Sequence, residues 1–174
     1  MAENTSTIGS TPRMIECQDS VTRPADTTQY AVGDAISDNA TTATAAGAFT
    51  LNFQGRLGGA VTLTDFTLHK SDQDQTGADF FLLLFDALPA VAGWEDNAAS
   101  AITDAEMKTC KGVVKFDADD WCNCGTGDIQ TVSKTIGIVC AADSTTTYGI
   151  LIAGGTYTPA SAEVLTLTVK ALQD

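Results

Sequence analysis

The chain has 174 residues, enough for one domain with a core of its own and no need of metals or disulfides to staple it. A formal net charge of −13 and a pI near 4.1 exclude recruitment by phosphate backbones or anionic lipid surfaces, so neither a nucleic acid nor a membrane is an expected partner. No stretch approaches the roughly 20 apolar residues of a membrane span. The start, Met1-Ala-Glu-Asn-Thr-Ser-Thr, lacks the basic and apolar regions of an export signal, so the expected product is soluble and made in a cytoplasm.

Ser, Thr, Asn and Gly dominate residues 1 to 12, where Ile8 is the one sizeable apolar side chain. Such a segment cannot offset its ordering entropy and reads as an N-terminal arm that a partner would have to capture. Residues 13 to 38 carry Met14, Ile15, Val21, Tyr30, Val32 and Ile36 but are broken by Pro24 and Gly33, which suits extended backbone and turns wrapping a domain. The expected division is therefore an arm and wrapping segment over residues 1–38 and a folded domain over 39–174.

Thr41 to Ala48 is an Ala/Thr/Gly connector. From Phe49 the period-2 signal is clear, because Phe49, Leu51 and Phe53 alternate with polar residues and predict a half-buried strand. In Val61 to Lys70 the apolar phase slips by one residue between Leu63 and Phe66, which predicts a bulge near Thr64 or Asp65. Phe80 to Phe85 is a solid apolar run, expected as a central strand covered on both faces. Thr103-Asp-Ala-Glu106 has the spacing of a capping box and predicts one short helix ending near Cys110. Lys111–Phe116, Ile129–Val139, Tyr148–Ala153 and Val164–Leu172 read as further strands, with a turn at Gly154, Gly155 and Pro159. Seven or eight strands and one helical excursion predict an all-β fold, an antiparallel β-sandwich of jelly-roll type with an extended N-terminal arm.

The sequence is poor in catalytic signals. It has no nucleophile elbow, no phosphate-binding loop and no dinucleotide fingerprint after a strand, so it is read as non-enzymatic. The one histidine, His69, sits at the end of a predicted strand without the nucleophile and acid that a triad requires. Five cysteines, an odd number without an export signal, read as free thiols. Cys122 and Cys124 are separated by one residue, closer than usual zinc spacing; Cys110 and Cys140 would complete a metal site only if the fold brought them near. Asp117, Asp119, Asp120 and Asp128 crowd the same region without the EF-hand order, so they read as a solvated acidic loop. No metal and no cofactor is expected.

The segment Val21-Thr-Arg-Pro-Ala-Asp-Thr-Thr-Gln-Tyr-Ala-Val-Gly-Asp34 resembles one near the start of many small virion proteins of tailed bacteriophages. Asp96-Asn-Ala98, Ile102-Thr-Asp-Ala105 and Tyr148-Gly-Ile-Leu-Ile-Ala153 leading to Tyr157-Thr-Pro159 are similar to later pieces of that group. The resemblance is to the head decoration, or cement, proteins, and touches most of residues 21 to 170. The cysteines and the Trp121 loop depart from the pattern. It implies a structural protein on the outer surface of the capsid, synthesised in the host cytoplasm, with the major capsid protein and further copies of itself, as a homotrimer, for partners. Arg13, Arg23 and Tyr30 are then the expected contact residues toward the shell or a neighbouring subunit, the arginines through bidentate forks on carboxylates. On the residues alone, the Arg23 segment reads first as a structural turn, with Pro24, Asp26, Thr27 and Gly33 as its turn formers. The competing functions are a phage tail or fibre component, or a carbohydrate-binding module that presents Trp94 and Trp121 to sugars.

Overall fold

The computed structural model describes residues 13–42, 44–53, 60–72, 79–90, 93–139 and 145–173. The expected arm over residues 1 to 12, and Cys140, lie outside them.

The strands are β1 (Arg13–Thr22), β2 (Ala35–Ile36), β3 (Phe49–Asn52), β4 (Ala60–Lys70), β5 (Phe80–Phe85), β6 (Cys110–Phe116), β7 (Cys122–Asn123), β8 (Asp128–Val139), β9 (Thr146–Ala153) and β10 (Val164–Gln173). One sheet runs in the order β1-β10-β4-β8-β7 and the other β2-β9-β5-β6, with β3 also paired to β9. All strand pairs are antiparallel.

The pairing is nested. Leaving aside the two-residue strands, β5 pairs with β6, β4 with β8, β3 with β9 and β1 with β10. Successive shells of this long hairpin fall alternately in one sheet and the other. That is the wiring of a jelly roll, in which two Greek keys close over one core. The fold is thus the all-β antiparallel sandwich that alternating hydrophobicity predicted.

The inward faces follow from residue parity. Phe66 and Leu68 on β4, Leu165, Leu167 and Val169 on β10, and Leu82 and Leu84 on β5 meet in a single core with Phe80, Phe116, Leu51 and Leu63. The predicted bulge is present: the register of β4 against β8 shifts between Leu63 and Asp65, and Lys170 to Ala171 of β10 absorbs the same slip. One extra residue there lets both Leu63 and Phe66 point inward despite opposite parity.

A second, smaller core explains the apolar run of β5. The connection from β5 to β6 folds over the outer face of its sheet, and Trp94 is buried there against Phe85, Ile150, Ile152, Ala35 and Ala48. The helix α1 (Asp104–Met107) lies in this connection. Thr103 caps it by accepting from the Glu106 N–H, and the Glu106 carboxylate accepts from the Thr103 N–H at 2.9 Å, the predicted capping box.

One boundary moves. Residues 13–22, expected to wrap the domain, form β1, paired with β10 from Arg13↔Gln173 to Thr22↔Val164. Among the described residues the sandwich therefore includes Arg13–Thr22, and the even-odd alternation of β1 was masked by its position at the sheet edge, where only Val21 is fully buried.

A chain beginning at residue 39 is accordingly expected not to fold, because it lacks β1, Arg23 and Tyr30 and leaves the inner edge of β10 open. A cooperative urea transition in that truncated chain, with near-native circular dichroism, would return the boundary to residue 38.

Candidate functional site

Several of the pieces singled out above, Arg23 to Asp34, Asp96 to Ala98, Ala153 and Tyr157, lie far apart in sequence and come together in one place. After β1 the chain turns at Pro24 and runs past the opposite end of the sandwich. Gly33, at φ +93, reverses it into β2, a conformation that favours glycine. Along this path Tyr30 bridges to Tyr157 through both backbones, Gly33 N–H donates to the Ala153 carbonyl, and Ala35 N–H donates to the Ala98 carbonyl.

At the centre is a buried ion pair. The Arg23 Nη2 lies 3.0 Å from Asp96 Oδ2, and both side chains are fully shielded from solvent. Arg23 Nε donates to the Tyr30 hydroxyl, which donates to Asp96 Oδ1 at 2.5 Å. The Ser37 N–H donates to the same Oδ1 at 2.9 Å. The guanidinium also stacks on the Tyr30 ring, 4.6 Å from its centroid. Burial, reinforced by the hydrogen bond to the Asp96 carboxylate, pushes the Tyr30 phenol well above its ordinary range, so it stays neutral while it accepts from Arg23 and donates to Asp96.

A second polar layer adjoins the first. Tyr30 stacks on Tyr157 with ring centroids 6.0 Å apart, and the Tyr157 hydroxyl donates to Glu163 Oε2. Lys70 Nζ sits 5.3 Å from the Tyr157 ring centroid, 5.8 Å from that of Trp121, and 3.3 Å from Asp128 Oδ2. Lys70, Asp128 and Glu163 are all buried. Two cations, Arg23 and Lys70, thus face three carboxylates, those of Asp96, Asp128 and Glu163. Burial raises the pKa of Glu163, and the hydrogen bond from Tyr157 and the charge of Lys70 only partly oppose it. Its Oε1 has no hydrogen-bond partner.

Sequence reasoning found part of this. Arg23 and Tyr30 were expected at a contact with the shell or another subunit, but their polar groups are engaged within the chain and neither reaches the surface. The turn reading is what the geometry matches. Lys70, Asp128 and Glu163 were missed. A signal existed for Lys70, which follows Phe66 and Leu68 on the inward parity of β4, where a lysine must find a buried carboxylate.

Arg13 is different. It stands exposed at the start of β1, the outermost strand of its sheet among the described residues, and lines a groove of about 570 Å³ with Glu16, Gln18, Thr50, Asn52 and Phe53. Beyond the groove the two sheets are tied by Cys17 Sγ donating to the Asn52 carbonyl at 2.8 Å and by Thr50 N–H donating to Asp19 Oδ2 at 2.6 Å.

The remaining candidates scatter. His69 lies in the ladder between Thr166 and Ile129. Asp117 caps a short 3-10 turn and pairs with Lys115 at 2.5 Å, while Asp128 is buried, so the acidic run is not one solvated loop. Among the described residues no three metal-ligating side chains cluster. Neither tryptophan is available as a sugar platform: Trp94 is fully buried and Trp121 packs edge-on against Phe80, 5.8 Å between centroids. No helix among the described residues is long and apolar enough to cross a membrane.

No protein-family model matches the chain, and no curated protein does. Among solved structures, a chain in the native virion of Kashmir bee virus at acidic pH is similar with a TM-score of 0.36 and 12% identity, covering 100% of this chain and 80% of that one. A chain in the full particle of Israeli acute paralysis virus heated to 63 degrees gives 0.35 and 14%, over 99% and 80%. A chain in the structure of Triatoma virus gives 0.24 and 13%, over 97% and 70%. At these values the likeness extends no further than the sandwich architecture.

Asp96→Ala is expected to destabilise the protein by about 3–5 kcal/mol in urea unfolding, because it strands Arg23 as an uncompensated buried charge. A loss below about 1 kcal/mol would mean that the guanidinium escapes to water. Glu163 gives the opposite sign. Its folded-state pKa is raised, so its contribution is fully present below the ordinary carboxyl pKa and is lost as pH rises through the folded value. Glu163→Gln should therefore raise the melting temperature at neutral and alkaline pH and flatten the wild-type decline between mildly acidic and alkaline conditions. An unchanged pH profile would remove Glu163 from the balance.

Proposed function

We propose that this chain is a structural, non-enzymatic virion protein that decorates and stabilises a bacteriophage capsid as a cement protein on the outer shell. The observation that carries this reading is the convergence of the resemblance. Arg23 and Tyr30 from the first piece meet Asp96 from the second and Tyr157 from a later one in a single buried unit, to which Gly33, Asp34, Ala98 and Ala153 are joined through the backbone.

The rest of the molecule agrees. A jelly roll presents two broad faces and several loops on a rigid frame, an architecture that viral capsid proteins, lectins and cupins share. The face of the β1 sheet turned to solvent is polar, with Ser20 bonded to Thr166 and Thr67 to Thr131 between hydroxyls at 2.8 and 2.9 Å. In this reading the major capsid protein is the principal partner, and copies of the chain associate as a homotrimer so that weak contacts multiply by avidity. Arg13, at the outer edge of the β1 sheet among the described residues, offers its fork to carboxylates of the shell or of a neighbouring subunit. Residues 1–12, which lead into that edge, supply the capturable arm.

Two measurements test this. In purified particles, quantitative mass spectrometry should give a copy number that is a simple lattice fraction of the major capsid protein. A handful of copies would move the protein to the tail or a fibre, and absence from the particle would overturn the virion role. Deleting residues 1–12 should leave the melting temperature within a few degrees of wild type while weakening capsid binding at least tenfold. Arg13→Glu should weaken binding in the same direction, and undiminished binding by both variants would remove the edge from the interface.

A further inference from the structure

We propose that Cys122 and Cys124 form a redox-active dithiol that closes to a 122–124 disulfide by exchange with a small-molecule disulfide and reopens in a thiol pool. The inference stands on local chemistry and does not depend on the virion reading.

The two cysteines differ from the others described. Cys17 is half-buried, its thiol donates to the Asn52 carbonyl, and burial followed by the charge of Glu16 pushes its pKa up to about 11. Cys110 is half-buried and its thiol is turned to the Gly112 carbonyl. Cys122 and Cys124 are both exposed, on a segment whose backbone is firmly held. Trp121, immediately before them, is fixed in the core, and β7 pairs with β8 through Cys122↔Ile129 and Asn123↔Asp128.

The turn that follows is closed on itself. Cys124 N–H donates to the Gly127 carbonyl at 2.9 Å, and Gly125, at φ +98, donates from its N–H to Asn123 Oδ1 at 2.9 Å. Two residues apart, the two side chains leave the same face of the backbone, and the Cys124 Sγ lies 3.6 Å from the Cys122 carbonyl oxygen. Two residues apart in a strand, the Cα atoms would stand roughly 6.4–6.8 Å apart, the outer limit for a disulfide. A bond at that limit closes a very short loop between exposed cysteines, the kind that thiols reduce readily.

Desolvation, the interaction with Cys122 and the negative charge of Asp128 raise the pKa of the Cys124 thiol, which disfavours it as the first attacking thiolate and leaves it to resolve the mixed disulfide once it deprotonates. The Cys122 thiolate attacks one sulfur of oxidised glutathione, forming a mixed disulfide and expelling one glutathione thiolate. The Cys124 thiolate then attacks the Cys122 sulfur, forming the 122–124 bond and expelling the second. Two electrons pass from the protein to oxidised glutathione, and the two thiol protons end on the two released glutathiones.

The test uses the full chain treated with oxidised glutathione, alkylated with iodoacetamide and digested with trypsin. The peptide from Phe116 to Lys134 contains both cysteines and no other. It should be recovered lighter by two hydrogens, unalkylated, and convertible to the doubly alkylated form by prior dithiothreitol. Cys124→Ser should stop at one glutathione on Cys122, and exchange in wild type should accelerate as pH rises above neutral. A doubly alkylated peptide after oxidation, a wild-type mixed disulfide that does not resolve, or linkage to another molecule would each overturn the proposal. Both substitutions fall on exposed side chains, and an unchanged melting temperature verifies that the fold is intact.

Discussion

The structure depends on how the charge of Arg23 is accommodated. A guanidinium without solvent costs several kcal/mol unless its donors and its charge are both met. Here Asp96 meets the charge at Nη2, with Asp26 3.6 Å from the same nitrogen, while Nε donates to Tyr30 and Nη1 to the Ala160 carbonyl. These partners come from the turn after β1, the β5–β6 connection and the approach to β10. Neither of the first two segments can take another path without breaking the buried ion pair, and the third would forfeit a hydrogen bond to it. The pair thus selects one arrangement of the loops at this end of the sandwich, even where its net contribution to stability is small.

The same logic continues inward through Tyr157. Its ring lies against Tyr30, Phe80 and Lys70, so an apolar surface separates the Arg23–Asp96 pair from the Lys70–Asp128 pair while remaining in contact with both. Glu163, on the approach to β10, is the third buried carboxylate, and its burial raises its pKa. Nested pairing explains why such a network is tolerable. Each shell of the long hairpin is fixed by its own ladder, so polar residues near the strand ends can be buried where loops close over them, while mid-strand inward positions remain apolar.

Much of this architecture is legible in the sequence because alternation is a strong signal in strands buried on one face. Phe49 to Phe53, the slip between Leu63 and Phe66, and Val164 to Leu172 declare their faces directly. The capping box at Thr103 is equally local. What alternation does not give is position in the sheet. β1 carries the polar residues of an edge strand and reads as a wrapping segment, and the two-residue strands β2 and β7 are too short for any period. The polar network was hidden for a different reason. Arg23, Asp96 and Glu163 are ordinary surface residues by type, and only tertiary contacts reveal that they are buried.

The burial of Arg23 and Tyr30 changes how the resemblance is to be read. A segment singled out by resemblance is easily taken for the part that touches a partner. Here its residues Arg23 and Tyr30 face one another and Asp96 inside the chain, so the segment reads first as a determinant of the fold. Under the proposed function, contacts with a shell or a neighbouring subunit would fall instead to positions outside that network, such as Arg13 at the start of β1 and the polar outer face of the β1 sheet, because a side chain whose polar groups are already engaged in the interior has none left to offer a partner.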